Sequence, residues 1–247
     1  MNLQVIVESR SGEGTRSVTT VINFKNDTKF FRMFVFLRKA SIALFLLFVT
    51  GCFNYRSVLA IWTAIVFSCV ALGYVTSSCK RAPGKDPITG RIPVLRILLF
   101  LPYFVVVSIV MLVSWLLTRL RDRAPFTQIT PDVYVGDYFS SFRSPMKWAS
   151  VVDVTNELPR LSNCRNYLNI QSWDGVPPSA EDTRAAVKFI TECEKPVLVH
   201  CAHGKGRSVT VVCAYLVASQ VCKSVDDAMK MVCQYLLTIL ILLVQVS

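Results

Sequence analysis

The stretch VLVHCAHGKGRS, residues 197–208, constrains the fold more than any other part of the chain. Its apolar β-formers predict a buried strand and its glycines a tight loop, and the sequence RSVTVVCAYLVASQV predicts a central helix. A strand that passes through such a loop into a helix N-terminus builds an anion site, because backbone N–H groups point into the loop and the helix dipole adds positive charge. The expected ligand of this site is phosphate.

The sequence around this stretch alternates strand and helix patterns. Strands are predicted within PDVYVGD, WASVVDVT, NYLNIQ and KPVLV, and a helix is predicted to follow Pro178, with Ser179 as its N-cap and Asp182 three residues later. Alternation of this kind indicates an α/β domain with a central, mostly parallel sheet flanked by helices. We assign this domain to residues 124–247.

The side chains of the loop predict phosphoryl-transfer chemistry. Cys201 stands at a helix entrance beside cations, where the pKa of a thiol falls from about 8.5 to roughly 3.5–7.5. A thiolate at the floor of a phosphate site is a nucleophile aimed at phosphorus, so a phosphocysteine intermediate is expected. Arg207 offers a planar fork for two phosphate oxygens, and Ser208 a hydrogen bond to the departing sulfur. The residues predicted to bind phosphate are Ala202, His203, Gly204, Lys205, Gly206 and Arg207.

The sequence HCAHGKGRS resembles the H-C-x-x-G-x-x-R-[S/T] signature of the cysteine-dependent protein tyrosine phosphatases, and the short domain resembles their dual-specificity branch. The resemblance extends from about residue 127 to 233 and includes VYVGD and VVDVTNE. It implies a phosphatase that needs no metal or other cofactor, with Cys201 as the nucleophile and Arg207 as the phosphate clamp.

Such a reaction also needs a proton for the leaving oxygen and later a base for the attacking water, and one carboxylic acid can serve in turn as both. In the family that the chain resembles, this acid lies on a mobile loop a few tens of residues before the cysteine. Asp174, in SWDGVPPS, lies 27 residues before Cys201 and is our candidate. Asp-Gly is also an ordinary turn sequence. Asp182 is the second candidate, although its position after Ser179 favours a helix cap.

Two other interpretations of the loop are disfavoured. His200 and His203 with Cys201 look like metal ligands, but adjacent residues at the end of a strand point in opposite directions, and the chain has only two histidines. The nucleotide-binding pattern G-x-x-x-x-G-K-[S/T] is absent. We expect His200 to orient the loop through buried hydrogen bonds, and His203 and Lys205 to face the substrate.

The first half of the chain is basic and apolar. It carries 16 lysines and arginines against 5 acidic residues, whereas residues 124–247 carry 11 of each. A mobile basic tail is predicted over residues 1–39. Uncharged stretches follow at residues 40–55, 58–77 and 97–118, and about 20 apolar residues span a bilayer as a helix. We therefore expect an all-α membrane region over residues 40–118 with two or three transmembrane helices. The cations flank these stretches, which favours a membrane partner and disfavours nucleic acid.

The number of crossings is left open. Basic clusters precede the first stretch, separate the second from the third and follow the third, and the positive-inside rule places all three clusters on the cytoplasmic side. Two crossings place the first two clusters on the cytoplasmic side. The third stretch would then enter the membrane and leave it on the same side, and Pro102 is placed to break its helix for such a turn. A thiolate survives best in a reducing compartment, so the catalytic domain is expected to face the cytosol.

Three functions fit this reading. The first is a membrane-anchored dual-specificity phosphatase that acts on phosphotyrosine, and on phosphoserine or phosphothreonine, in proteins. The second is a phosphatase of phosphoinositides or other anionic phospholipids with the same mechanism. The third is an inactive phosphate-binding scaffold, suggested by an atypical or truncated end from about residue 234, where YLLTILILLVQVS replaces the family's polar stretch and amphipathic helix.

Overall fold

A computed structural model describes residues 3–10, 17–24, 58–75, 84–120, 124–144 and 146–244. Within the segment predicted to be a tail, β1 (Leu3–Arg10) and β2 (Ser17–Phe24) pair as antiparallel strands, with Leu3 opposite Phe24 and Arg10 opposite Ser17. The apolar stretch at residues 40–55 lies outside the described residues.

The other two apolar stretches form three helices. They are α1 (Val58–Val75), α2 (Val94–Leu99) and α3 (Leu101–Leu120). The sequence placed a possible helix break at Pro102; the structure places the interruption at Phe100, between α2 and α3, and Pro102 lies in the first turn of α3, where a missing N–H costs nothing. Of the residues that the structure describes, α3 alone is long and apolar enough to cross a membrane, with a mean hydropathy of 2.2, and core helices of soluble proteins meet the same criteria. A region with two or three spans stays a prediction.

Helices α1 and α3 pack on each other and on the α/β domain. The rings of Phe67 and Tyr103 meet edge to face with centroids 6.4 Å apart, and Tyr103 meets Trp173 of the domain at 6.3 Å. Further along α3, Met111 packs against Ala202. The opposite faces of the two helices expose large apolar side chains, among them Leu59, Ile61, Ile65, Ile109, Leu112 and Leu116.

The α/β domain is built on a five-stranded sheet. Its strands are β3 (Phe126–Gln128), β4 (Val133–Gly136), β5 (Ser150–Asp153), β6 (Asn166–Asn169) and β7 (Val197–His200), in the order β3-β4-β7-β5-β6. The pairs β4–β7, β7–β5 and β5–β6 are parallel, and β3 adds one antiparallel edge. The predicted α/β class and the four predicted strands are confirmed; the short edge strand β3 was not predicted.

Four helices complete the domain: α4 (Ser140–Arg143), α5 (Ala180–Glu192), α6 (Arg207–Ala218) and α7 (Val225–Val244). The predicted N-cap of α5 is present, since Ser179 Oγ accepts from the Asp182 backbone N–H at 3.1 Å. The segment from about residue 234, described above as an atypical or truncated end, continues α7 to Val244.

The domain core lies between the sheet and helices α5 and α6. Val199, Val212, Leu216 and Ile190 are fully buried there, and each buried side chain of this size contributes about 1.5–3 kcal/mol. Nine of the residues of α6 are buried, as its all-round apolar sequence predicted. The core thereby holds both the end of β7 and the start of α6, which fixes the loop between them.

Candidate active site

The phosphate loop, residues 201–207, connects the end of β7 to the first residue of α6. Gly204 adopts φ +68°, and a Cβ there would stand 2.8 Å from the carbonyl oxygen of Gly136 at the end of β4. Gly204 therefore supplies a positive φ and lets the loop approach the end of β4 closely. Gly206 differs, because its φ is −127° and the space around a Cβ is open.

Cys201 lies at the floor of this loop with 3% of its surface exposed. Ser208 Oγ is 3.3 Å from Cys201 Sγ, as the sequence predicted for a hydrogen bond to the sulfur. Burial by itself raises the pKa of the thiol, but the charge of Arg207 and the hydrogen bonds from Ser208 and the His203 backbone outweigh it, so the pKa lies below the ordinary value. These contacts stabilise the thiolate relative to that of an ordinary cysteine.

Arg207 is buried and held in a fixed orientation. Its two terminal nitrogens donate to the two carboxylate oxygens of Glu157, at 3.1 and 2.8 Å, and Nη1 also donates to the carbonyl oxygen of Ser172 at 2.6 Å. Burial disfavours the guanidinium charge, but Glu157 and the Cys201 thiolate raise the pKa of Arg207 above its ordinary value. A planar, permanently charged fork of this kind suits the oxygens of a phosphate.

Glu157 is a site residue that the sequence reading missed. It follows β5 in the sequence VVDVTNE, and the carboxyl ends of β5 and β7 lie at the same edge of the sheet. The shared edge could have identified Glu157 from the sequence. An acidic residue just after a buried parallel strand comes close to the residues that follow the neighbouring strand. The sequence alone did not show which cation it would meet.

Asp174 is brought to the site, as predicted. It lies between β6 and α5, its side chain is 37% exposed, and Oδ1 is 3.4 Å from Arg207 Nη2. A partly exposed carboxyl group at the rim of the loop is placed to exchange a proton with a bound substrate and with water. Asp182, the second candidate, instead caps α5 through Ser179.

The two histidines occupy different environments. His200 is buried, its Nε2 lies 4.0 Å from Asp153 Oδ1, and among the described residues its Nδ1 has no hydrogen-bond partner; that His200 orients the loop stays a prediction. His203 is half-buried, and its Nδ1 is 3.2 Å from Ser114 Oγ of α3.

Lys205 is exposed at the rim of the phosphate loop, whereas Ala202 is buried in a cluster with Met111. Among the described residues, no group of three His, Cys, Asp or Glu side chains is arranged to hold a metal ion.

A cavity of about 370 Å³ lies beside the phosphate loop. Its polar end is formed by Glu157, Asp174 and His203, and its apolar walls by α1 and α3. The wall residues include Phe67, Val70, Tyr103, Val106, Val107 and Met111. A phosphate ester held by the loop would therefore extend its organic part between two apolar helices.

Residues 134–240 match the family described as dual specificity phosphatase, catalytic domain. This part of the chain is therefore similar to the catalytic domains of the dual-specificity phosphatase superfamily. The match contains the phosphate loop, Glu157 and Asp174, and leaves α1, α2 and α3 outside.

Relatives share only part of this chain. The Protein-tyrosine-phosphatase IBR5 of Arabidopsis thaliana is 38% identical over 96 residues, which are 36% of this chain and 37% of that protein. The Dual specificity protein phosphatase OPG106 of Vaccinia virus (strain Western Reserve) is 30% identical over 115 residues, which are 40% of this chain and 63% of that protein. The crystal structure of human DUSP28 aligns with 45% of this chain and 81% of its own, at 20% identity and a TM-score of 0.39. The chain thus spans less than two thirds of the length of these two sequence relatives.

Proposed function

We propose that this chain is a membrane-anchored dual-specificity protein phosphatase that hydrolyses phosphotyrosine, and phosphoserine or phosphothreonine, through a phosphocysteine intermediate. The observation that carries the proposal is the arrangement of a buried thiol with lowered pKa beside a guanidinium that Glu157 holds in place. The names of the relatives support a phosphorylated protein as substrate, since both are called protein phosphatases.

The reaction has two steps at one phosphorus atom. The Cys201 thiolate attacks phosphorus, the bond from phosphorus to the leaving oxygen breaks, and Asp174 gives its proton to that oxygen. Arg207 and the loop amides stabilise the charge on the three remaining oxygens. A water molecule then attacks phosphorus, the Asp174 carboxylate takes its proton, and the phosphorus–sulfur bond breaks while Ser208 donates a hydrogen bond to the departing thiolate.

The test uses the full chain in detergent micelles, with p-nitrophenyl phosphate and phosphopeptides that carry phosphotyrosine, phosphoserine or phosphothreonine. Cys201→Ser should abolish turnover and retain binding of vanadate, and Asp174→Ala should slow turnover and trap the substrate. Equal turnover in Cys201→Ser would refute covalent catalysis. Vanadate binding without turnover in the unaltered chain would identify a phosphate-binding scaffold instead.

The second candidate is a phospholipid phosphatase of the same mechanism, and the cavity favours it. A phosphate in the loop would place its ester between Val107 of α3 and Phe67 of α1, and the outer faces of both helices are apolar. An acyl chain gains from such surroundings, whereas a peptide backbone there would lose its hydrogen bonds to water.

A pair of variants separates the two substrate classes. Val107→Trp fills the cavity wall, and Leu112→Trp places the same ring on the exposed face of α3, where 58% of the leucine is accessible. For a phospholipid phosphatase, Val107→Trp should lower kcat/KM for phosphatidate, whose phosphate is joined to the glycerol that carries the acyl chains, in mixed micelles and spare p-nitrophenyl phosphate, whereas Leu112→Trp should change neither. Hydrolysis of phosphopeptides alone in this assay would reject the lipid candidate.

Anchoring to a membrane with the phosphatase domain in the cytosol completes the proposal. Its support is the composition of α3 and the basic residues that flank the apolar stretches. Protease added to the cytosolic side of sealed vesicles should digest residues 124–247. Protection of this domain under the same conditions would place it on the other side, and recovery of the whole chain in the aqueous fraction would remove the membrane from the proposal.

A further inference from the structure

Residues 84–93, which lie outside the matched domain, form a turn that we call the strap. The Asp86 carboxylate accepts from the backbone N–H groups of Ile88 and Thr89, at 2.8 and 2.7 Å. The backbone of Asp86 also bonds to Gly90 and Arg91, each at 2.9 Å. These bonds close the turn on itself.

The strap is docked across the ends of β5 and β6. Gln171 donates to the carbonyl oxygen of Lys85 at 2.7 Å, and the Arg160 backbone N–H donates to the carbonyl oxygen of Gly90 at 2.8 Å. Gly90 has φ +69°, and a Cβ there would collide with Tyr167. The sequence GKDPITGRIP is thus fitted to the phosphatase domain, although it belongs to the half of the chain that was predicted to be a membrane region.

The strap carries one charged side chain into the domain. The ammonium group of Lys85 lies 2.6 Å from Asp153 Oδ2 and 3.1 Å from both the carbonyl oxygen and Oγ1 of Thr155. The side chains of Lys85 and Asp153 are both fully buried. All three ammonium protons have acceptors, which is the condition under which a buried charge is tolerated.

Asp153 connects this lysine to the nucleophile. It ends β5 and stands opposite His200, the last residue of β7, in the parallel register. The next residue, Val154, donates to the carbonyl oxygen of His200 at 2.8 Å, and His200 directly precedes Cys201. The chain Lys85, Asp153, His200 therefore leads from the strap to the catalytic sulfur.

The surroundings of His200 decide its charge. It is faced by Asp153 from β5, Lys85 from the strap, Arg207 from α6 and the Tyr138 ring at 6.3 Å. Burial lowers the pKa of His200, Asp153 opposes this, and Lys85 and Arg207 lower the pKa further. Because Lys85 neutralises Asp153 at close range, the imidazole has no unpaired carboxylate from which to gain a charge.

We propose that Lys85 is a positioning residue for the reaction: it fixes Asp153 and thereby keeps the His200 ring neutral and in place next to Cys201. The kinetic effect expected from this inference rests on the proposed phosphatase function. The expected change in the titration of His200 does not depend on that function. Lys85→Met leaves Asp153 buried with hydrogen bonds from Thr155 and Tyr167 but without a counter-charge, so the neighbouring His200 ring takes up a proton. The imidazolium then stabilises the thiolate and lowers the pKa of Cys201 further.

The main measurement is the titration of the histidines by NMR in the full chain. The chain contains two histidines, so the His203→Gln variant assigns both signals. The pKa of His200 should rise in Lys85→Met and return toward the unaltered value in the double variant Lys85→Met with Asp153→Asn, which removes both charges. Lys188→Met, on the exposed face of α5, is the matched control and should leave His200 unchanged.

The second measurement is kinetic. In Lys85→Met, kcat for p-nitrophenyl phosphate should fall roughly tenfold to a hundredfold, and the pH midpoint for alkylation of Cys201 by iodoacetate should move down. The double variant should recover most of kcat. An unchanged pKa of His200 in Lys85→Met, or a folded double variant as slow as the single one, would overturn the proposal. If Lys85→Met does not fold, Lys85→Gln, which removes the charge and keeps hydrogen-bond donors, replaces it in both measurements. An unaltered chain without turnover would refute the proposed function but leave the titration as a test of Lys85.

Discussion

Both carboxylate oxygens of Glu157 accept hydrogen bonds from the guanidinium of Arg207, at 2.8 and 3.1 Å, across 50 residues of sequence. The side chains are 5% and 4% exposed, so the pair is removed from solvent. The bidentate geometry fixes the plane of the guanidinium at the phosphate loop. Glu157 thus orients the clamp that the sequence identified.

Glu157→Gln should weaken both the fold and catalysis. In glutamine only one of the two terminal atoms is an acceptor and the other becomes a donor NH2 that faces an Arg207 N–H, and the buried Arg207 loses its principal counter-charge. We expect the free energy of unfolding to fall by about 2–4 kcal/mol and kcat/KM for p-nitrophenyl phosphate to fall at least tenfold. Thermal unfolding and steady-state kinetics check both effects. Glu181→Gln, in the exposed first turn of α5, is the control; equal losses in both variants would contradict the role of Glu157.

The two glycines of the phosphate loop should respond differently to alanine. Gly204→Ala forces a Cβ into the left-handed region and against the Gly136 carbonyl, whereas a Cβ at Gly206 meets nothing within 4 Å. The strain at Gly204 alone costs about 1–2 kcal/mol, before the contact with Gly136 is counted. We expect thermal unfolding to show a clear loss in Gly204→Ala and a much smaller one in Gly206→Ala. A larger loss at Gly206 would mean that the loop is arranged differently.

Ser208→Ala should slow the second chemical step selectively. The hydroxyl lies 3.3 Å from Cys201 Sγ, and its hydrogen bond helps to lower the pKa of the thiol. Without it the thiolate is a poorer leaving group, so the phosphocysteine should accumulate. Stopped-flow measurements with p-nitrophenyl phosphate should show a burst of product and a kcat reduced by roughly tenfold to a hundredfold, with kcat/KM less affected. Ser219→Ala, at the end of α6, should show neither; a missing burst with equal losses in kcat and kcat/KM would place Ser208 in the first step.

The sequence predicted the chemistry that is local in the chain. Cys201, Arg207 and Ser208 lie within eight consecutive residues. A single strand-loop-helix unit is enough to bring them together. Glu157 and Lys85 were missed as partners, because their contacts with Arg207 and Asp153 span 50 and 68 residues. No periodicity encodes which two distant charges will share a buried site.

The apolar stretch at residues 97–118 shows a second kind of limit. Hydropathy correctly predicted helical structure. It shows that the apolar side chains need apolar surroundings, but it does not show which residues or molecules provide them. In the structure Tyr103 and Met111 pack on Trp173 and Ala202 of the phosphatase domain, while the opposite side of α3 stays exposed. Trp173 and Ala202 come from two separate loops of the domain, which the local pattern of α3 cannot show.

Asp137, beside the phosphate loop, should make the stability of the domain depend on pH. Burial raises the pKa of its carboxyl group from 3.8 to about 6, although hydrogen bonds from the backbone N–H groups of Ser140 and Phe139 oppose the shift. The folded state therefore binds the proton more tightly than the unfolded state. The stability that this proton gives is fully present below about pH 4 and is lost as the pH rises through about 6.

In the unaltered protein the Ser140 N–H donates to the Asp137 carboxylate at 2.8 Å. Asp137→Asn keeps an oxygen that can accept this hydrogen bond and removes the buried charge. It should raise the free energy of unfolding by about 1–3 kcal/mol at pH 7.5 and by little at pH 4, because at pH 4 the folded carboxyl group is already neutral. Thermal unfolding of the full chain at the two pH values measures the difference, with the exposed Asp132→Asn as control. An equal gain at both pH values would trace the effect to packing, and no gain at pH 7.5 would mean that the carboxylate is accommodated without cost.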